Sequence, residues 1–348
     1  MNLGFGIIGC GAISGCHATA LRKNPNARLV GVTDAREENG RAFAAQQTQL
    51  SGEEVTFFPT VEAMLESPDI QAVCICTPSG LHPAQAIQAA QAGRHVVVEK
   101  PMALTVEDAD RVIEACERYG VKCSCISQFR FREEIVEAKR AVEGGYLGRM
   151  IAGDIFMKYH RPQSYYDSSD WRGTWKYDGG GALMNQGIHG VDMLVSIMGP
   201  VKTVFGYART LSHRMETEDT ASAVLEYASG ALGMLQGTTS VYPGLPRRME
   251  ICGDRGMITM IEGAIDRWEV PGLELPAHLA DKPHNNASFS THKVEDTSGH
   301  ERQIDDMVDA ILTGRLPVIN QYEARRPIEL ITAVYRSSQT GRPVELGR

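Results

Sequence analysis

The first 125 residues alternate short apolar runs with helical patterns, and no other feature constrains the fold as strongly. "FGIIG" precedes a helix from about Ser14 to Lys23, and "RLVGVTD" precedes one reaching about Gln47. "AVCICTP", "HVVVEKP" and "KCSCIS" continue the rhythm, separated by the helical stretches "AQAIQAAQAG" and "TVEDADRVIEACERYG". Strands this short and uniformly apolar are buried on both faces, which predicts a doubly wound parallel sheet covered by helices. The punctuation agrees: Thr105 with Asp108 is an N-cap pair, and Gly120 stands where a helix should stop.

After about residue 126 the grammar changes. A helix near Glu133 to Glu143, the strand "MIAGDIFMKYH" and the helical segment "GGGALMNQGIHGVDML" lead into "VKTVFGYART", "TASAVLEYA", "ALGMLQGTTS", "RRMEICGD" and "GMITMI". Tight turns such as Ala228-Ser229-Gly230 predict a mostly antiparallel sheet, followed by amphipathic helices at about 302–313 and 322–338. The polar stretch from Pro271 to His300 reads as a long loop. The chain is thus expected to be α/β, with domains at 1–125 and 126–348, since 348 residues exceed one ordinary core.

Charge and composition exclude several classes. With 35 Lys and Arg against 43 Asp and Glu, and no basic run, the chain has nothing to track a nucleic-acid backbone. No apolar run approaches the roughly 20 residues of a membrane span, and no basic leader opens the chain, so a cytoplasmic location is expected. The C-x-C pairs Cys74/Cys76 and Cys123/Cys125 put thiols on one strand face and read as reduced core packing. Neither cysteines nor histidines show metal-ligand spacing, so no metal is expected.

Two glycine patterns overlap in "GFGIIGCGAIS". Gly4, Gly6 and Gly9 match G-x-G-x-x-G but lie within the strand, where no turn receives a phosphate. Gly9-Cys10-Gly11-Ala12-Ile13-Ser14 follows the strand and opens a helix, the context a dinucleotide pyrophosphate needs. Asp34 ends the second strand, placed to accept from an adenosine ribose and to repel a 2′-phosphate. NAD is favoured over NADP, although Arg36 would pair with a 2′-phosphate.

Polar groups concentrate in two further places. Glu99-Lys100-Pro101 ends an apolar strand, where ligands bind in open parallel sheets. Asn185, His189 and Asp192 fall at i, i+4 and i+7 of a helix, a spacing that suits a catalytic face or a core helix with a satisfied histidine. Upstream, Tyr159, Tyr165, Tyr166, Trp171 and Trp175 could stack on a pyranose while His160 and Arg172 bind hydroxyls; packing within the protein is an equal use for such aromatics.

Together, "GIIGCGAIS", "VTDAR", "CTPSGLHPAQAIQAAQAGRHVVVEKPMALT", "WRGTWKYDGGGALMNQGIHGVDML" and "YRSSQTGRPVEL" resemble the Gfo/Idh/MocA oxidoreductases, the glucose-fructose oxidoreductase and inositol dehydrogenase group. The resemblance implies a Rossmann domain followed by an α/β domain whose open sheet makes homodimer or homotetramer contacts, with a sugar or polyol substrate between the domains. It implies a cis Lys100-Pro101 bond and Lys100, after Glu99, on the nicotinamide ribose and the reacting hydroxyl. Thr77, Pro78 and His82 of "TPSGLH", and Gln128, would border the cofactor. Relatives often place aspartate where this chain has Asn185, and an amide orients a hydroxyl without taking its proton. His189, near the ordinary histidine pKa of about 6.5, would then be the base, Lys100 the electrostatic partner, and Asp192 a support for the imidazole or the substrate. The implied activity is NAD(P)-dependent oxidation of a secondary alcohol on a sugar, sugar derivative or cyclitol. A glycosidase using transient oxidation and a non-catalytic sugar or NAD sensor share the resemblance; retention of Lys100 and His189 argues against the sensor.

Overall fold

The computed structural model describes residues 2–280 and 297–347. Their contacts form two units, 2–128 with 297–325 and 129–280 with 326–347.

The first unit is built on strands β1 (Leu3–Ile8), β2 (Ala27–Thr33), β3 (Thr56–Phe57), β4 (Ala72–Ile75), β5 (His95–Val98) and β6 (Cys123–Cys125). They run in the order β3-β2-β1-β4-β5-β6, every pair parallel. The order reverses at β1/β4, the switch point where such sheets bind ligands. Gly4 and Gly6 serve packing, as their place inside the strand suggested: a Cβ on Gly4 would stand 1.8 Å from Asp69 O, and one on Gly6 2.8 Å from Met64 Sδ. Thr105 caps the helix Val106–Tyr119 by accepting from Asp108 N at 3.1 Å, and Gly120 ends it at φ +65°. All eight cysteines are free thiols, and those of both C-x-C pairs are buried.

The helix Ser298–Thr313 belongs to this unit. Its stripe of Ile304, Met307 and Val308 shares a core with Phe5, Ile7, Leu21 and Ile126. The linear division at residue 125 leaves this helix with the second domain; its apolar face completes the first core instead.

The second unit carries β7 (Met150–Lys158), β8 (Val201–Arg209), β9 (Thr220–Tyr227), β10 (Leu232–Thr238), β11 (Arg248–Gly253), β12 (Met257–Ile261), β13 (Ala264–Glu269) and β14 (Val344–Glu345). Their order is β13-β12-β11-β7-β10-β9-β8-β14. Only β7 and β10 pair in parallel, so the sheet is mostly antiparallel as expected. Of the stretch read as a long loop, residues 281–296 lie outside the described residues, while its flanks hold a short helix, Ala277–Ala280, and the start of Ser298–Thr313. Among the described residues no helix is long and apolar enough to cross a membrane.

Candidate active site

In the first unit the β1 turn fits a dinucleotide. Gly9 sits at φ +92°, a region costly for other residues, and a Cβ there would lie 2.9 Å from Thr77 Cγ2. A Cβ on Gly11 would meet nothing within 4 Å, so the backbone above the turn is open to a pyrophosphate. Ala12 is exposed and Ile13 precedes the helix Ser14–Lys23, whose Ser14 Oγ donates to Gly11 O at 2.6 Å. Asp34 faces this turn: Oδ2 accepts from Cys10 N at 2.7 Å and Oδ1 from Arg36 N at 2.8 Å. The Arg36 side chain is exposed. Burial, helped by the Asp34 charge, pushes the Cys10 thiol up to about 12, so it is no ready nucleophile.

Glu99 at the end of β5 is buried in a cluster that no spacing rule foresees. Its Oε1 lies 2.9 Å from His17 Nε2 and 3.6 Å from His300 Nε2, while Oε2 accepts from Lys100 N at 3.2 Å. Burial opposes its charge, but the two histidines hold the carboxyl well below the usual range. An anchored carboxylate thus fixes the backbone of Lys100, whose bond to Pro101 is cis. His82, expected beside the cofactor, is a buried strut, with Nδ1 2.7 Å from Pro101 O and Nε2 2.8 Å from Thr77 O. Thr77 Oγ1 donates to Gln85 Oε1 at 2.5 Å, Pro78 precedes the turn Ser79–Leu81, and Gln128 Oε1 is buried without a hydrogen bond.

In the second unit the glycine-led segment is not one regular helix. Residues Ala182–Gly187 form a π-helix, with Gln186 N donating to Gly181 O at 3.2 Å, and Ile188–Met198 continue as α-helix. π-turns concentrate at functional sites. From Gly181 to Met198 only Asn185, Gln186 and His189 keep partial exposure; every other residue is buried. Asn185 Nδ2 donates to Asp178 Oδ1 at 2.6 Å, and His189 packs edge-on to Phe129 with ring centroids 5.0 Å apart. Asp192 leaves this face. It is buried, and Arg130 donates to both its oxygens, so the support expected for His189 or substrate goes to a guanidinium.

The aromatic segment divides. Tyr159 is buried, with its hydroxyl pushed up to about 12 by burial, and Tyr165 and Tyr166 are buried edge-to-face. Trp175 is exposed and stands edge-on to Tyr335. His160 stands edge-on to Tyr242. Arg172 stacks over Tyr165 and Trp171, at 4.4 and 5.1 Å from the ring centroids, and its Nε is buried without a partner. Sequence reasoning missed Arg161, whose Nη2 donates to Gln186 Oε1 at 2.8 Å, and Asp178 beneath Asn185. Both sit close in sequence to the flagged aromatics, the one signal that could have found them.

Comparison with known proteins identifies the family. Residues 3–127 match the model described as "Oxidoreductase family, NAD-binding Rossmann fold", and residues 135–259 the "GFO/IDH/MocA C-terminal domain". The chain is 26% identical to the myo-inositol 2-dehydrogenase of Thermotoga maritima, covering 98% of each. It is 26% identical to the scyllo-inositol 2-dehydrogenase (NAD(+)) of Bacillus subtilis, covering 98% of this chain and 95% of that one. Among solved structures, the WlbA dehydrogenase of Bordetella pertussis, crystallised with NADH and UDP-GlcNAcA, superposes with a TM-score of 0.85 at 34% identity over 100% of both chains. The chain therefore belongs to the NAD-binding Gfo/Idh/MocA oxidoreductases.

Proposed function

We propose that the protein oxidises a secondary alcohol on a sugar, sugar derivative or cyclitol, with His189 as general base and Lys100 as electrostatic partner. The observation that carries this is the exposure of Asn185, Gln186 and His189 alone in an otherwise buried segment. Burying that segment while leaving three hydrogen-bonding side chains partly open makes sense where a polar ligand meets them. His189 takes the hydroxyl proton, Asn185 orients the hydroxyl, and Lys100 stabilises negative charge developing on its oxygen. Bound NAD supplies the hydride acceptor. Gly9, Gly11, Ala12, Ile13 and Asp34 would hold it, with Thr77, Pro78 and Gln128 alongside. Arg172, His160 and Trp171 are assigned to the substrate.

Relatives that act on inositols and one crystallised with a sugar nucleotide support this substrate class. The test is a panel of inositols, sugars and sugar acids, with NAD and NADP compared by nicotinamide absorbance. His189→Ala should abolish turnover with NAD affinity nearly unchanged. Bond cleavage without net absorbance change would assign a glycosidase instead.

A further inference from the structure

The entry to the His189 helix is held by one carboxylate. Glu218, between β8 and β9, is buried; its Oε2 accepts from Gly181 N at 3.0 Å and its Oε1 from Leu183 N at 2.8 Å. Its main-chain oxygen accepts from Ala182 N at 3.0 Å. Three successive N–H groups at the helix start, where intrahelical partners are lacking, thus end on one residue. Tyr335, on the helix Gln321–Thr340, donates its hydroxyl to Oε1 at 2.8 Å.

The glycines follow from this clamp. A Cβ on Gly180 would lie 2.1 Å from the Tyr335 hydroxyl, and one on Gly181 would lie 2.2 Å from Glu218 O. Negative charge at a helix N-terminus also complements the helix dipole.

We propose that Glu218 is a positioning residue for His189: by gripping residues 181–183 it fixes where the π-segment begins, and so where Asn185 and the His189 imidazole are held. The proposal rests on reading His189 as the base. Burial pushes the Glu218 carboxyl up to about 7 against the pull of its donors, so the clamp titrates near neutrality. The ionisable groups around it are Tyr335, Asp219 next in the chain, and Asp178, whose charge acts on Tyr335. Tyr335 is raised well above its ordinary range by burial and remains a donor.

Glu218→Gln turns an amide NH2 toward donors that need an acceptor. Because small misplacements of catalytic groups are costly, kcat should fall about 10- to 100-fold. KM should stay nearly unchanged, as for a loss confined to the transition state. The kcat profile should lose an ionisation near pH 7. In histidine-labelled protein the His189 ring signals, assigned with His189→Asn, should move in Glu218→Gln. Wild-type kcat and unmoved His189 signals would overturn the proposal. Should Glu218→Gln not fold, Tyr335→Phe decides, because it keeps the carboxylate and removes one donor: moved His189 signals support the clamp, and unmoved ones sink it. If no sugar is oxidised but the His189 signals respond, the clamp stands and the dehydrogenase reading fails; oxidation with unmoved signals eliminates the clamp alone.

Discussion

Arg130 holds Asp192 through two bonds, Nε to Oδ2 at 2.8 Å and Nη2 to Oδ1 at 2.6 Å, with both side chains almost fully buried. A guanidinium fork on a carboxylate in this geometry is strong and directional, and it occupies the oxygens that could have faced His189. Asp192→Ala leaves a buried cation without its partner and should lower stability by about 3–5 kcal/mol. Urea unfolding measures the loss. Replacing the pair together, Arg130→Met with Asp192→Leu, should restore much of it, and a single variant as stable as wild type would show that the pair is not buried in solution.

Asp34 is fixed by the Cys10 and Arg36 N–H groups, so its carboxylate stands at the turn proposed above to hold the adenosine ribose. Asp34→Ser removes the repulsion toward a 2′-phosphate and leaves Arg36 to attract it. The preference for NAD over NADP, read as the ratio of kcat/KM values, should shrink by about 10-fold or more, the worth of a charged hydrogen bond. An unchanged ratio would place cofactor choice elsewhere.

Glu218 and Asp219 are neighbours pushed in opposite directions. Burial lifts Glu218 to about 7, whereas Asp219, despite burial, is drawn down to about 2 by the N–H groups of Leu211, His213 and Ser212. A raised carboxyl contributes stability that is present below the unfolded pKa and lost as pH rises through the folded value. Glu218 should therefore cost stability, on the order of 3 kcal/mol, as pH rises from 4 to 8. The depressed Asp219 contributes stability that is present above pH 4 and lost as pH falls through about 2. Unfolding free energies should converge between wild type and Asp219→Asn in acid. Parallel curves for the two would contradict the assigned direction.

His17, Glu99 and His300 bring ligand-type atoms within 4.8 Å of one another, and two imidazoles with a carboxylate are a zinc-type donor set. Ligand atoms on a tetrahedral zinc stand about 3.3 Å apart, given bonds of about 2.0 Å. The 2.9 Å between His17 Nε2 and Glu99 Oε1 is instead a hydrogen-bond distance. Dialysis against a chelator should leave the thermal midpoint and NAD affinity unchanged; stoichiometric zinc in the purified protein would refute that expectation.

Local features were legible and distant ones were not. The β1 turn, the Thr105 cap and the strand-helix alternation each rest on residues a few positions apart, where backbone geometry restricts side-chain choice. The Glu99 cluster joins positions 17, 99 and 300, and the Glu218 clamp joins 181, 183, 218 and 335, distances over which periodicity carries no signal. The stripe on Ser298–Thr313 announces an apolar face but not the core that receives it. For Asp192 the helical spacing from His189 held, both lying in the α-helix Ile188–Met198, but its carboxylate is taken by Arg130, a partner 62 residues away that spacing does not reveal.

The open face of the second sheet bears on assembly, inferred to be a homodimer or homotetramer. Across three strands Phe205, Val224 and Met234 are direct cross-strand neighbours, with Val224 and Met234 about half exposed and Leu232 and Tyr207 exposed nearby. Such a contiguous apolar row is unusual on the surface of a monomer and common where copies meet. Val224→Glu with Met234→Glu puts charges on adjacent strands of that row, which a dry interface does not accept. Light scattering should find wild type as an oligomer and the double variant as a smaller species with an unchanged circular dichroism spectrum. An unaltered mass for the variant would move the interface off this face.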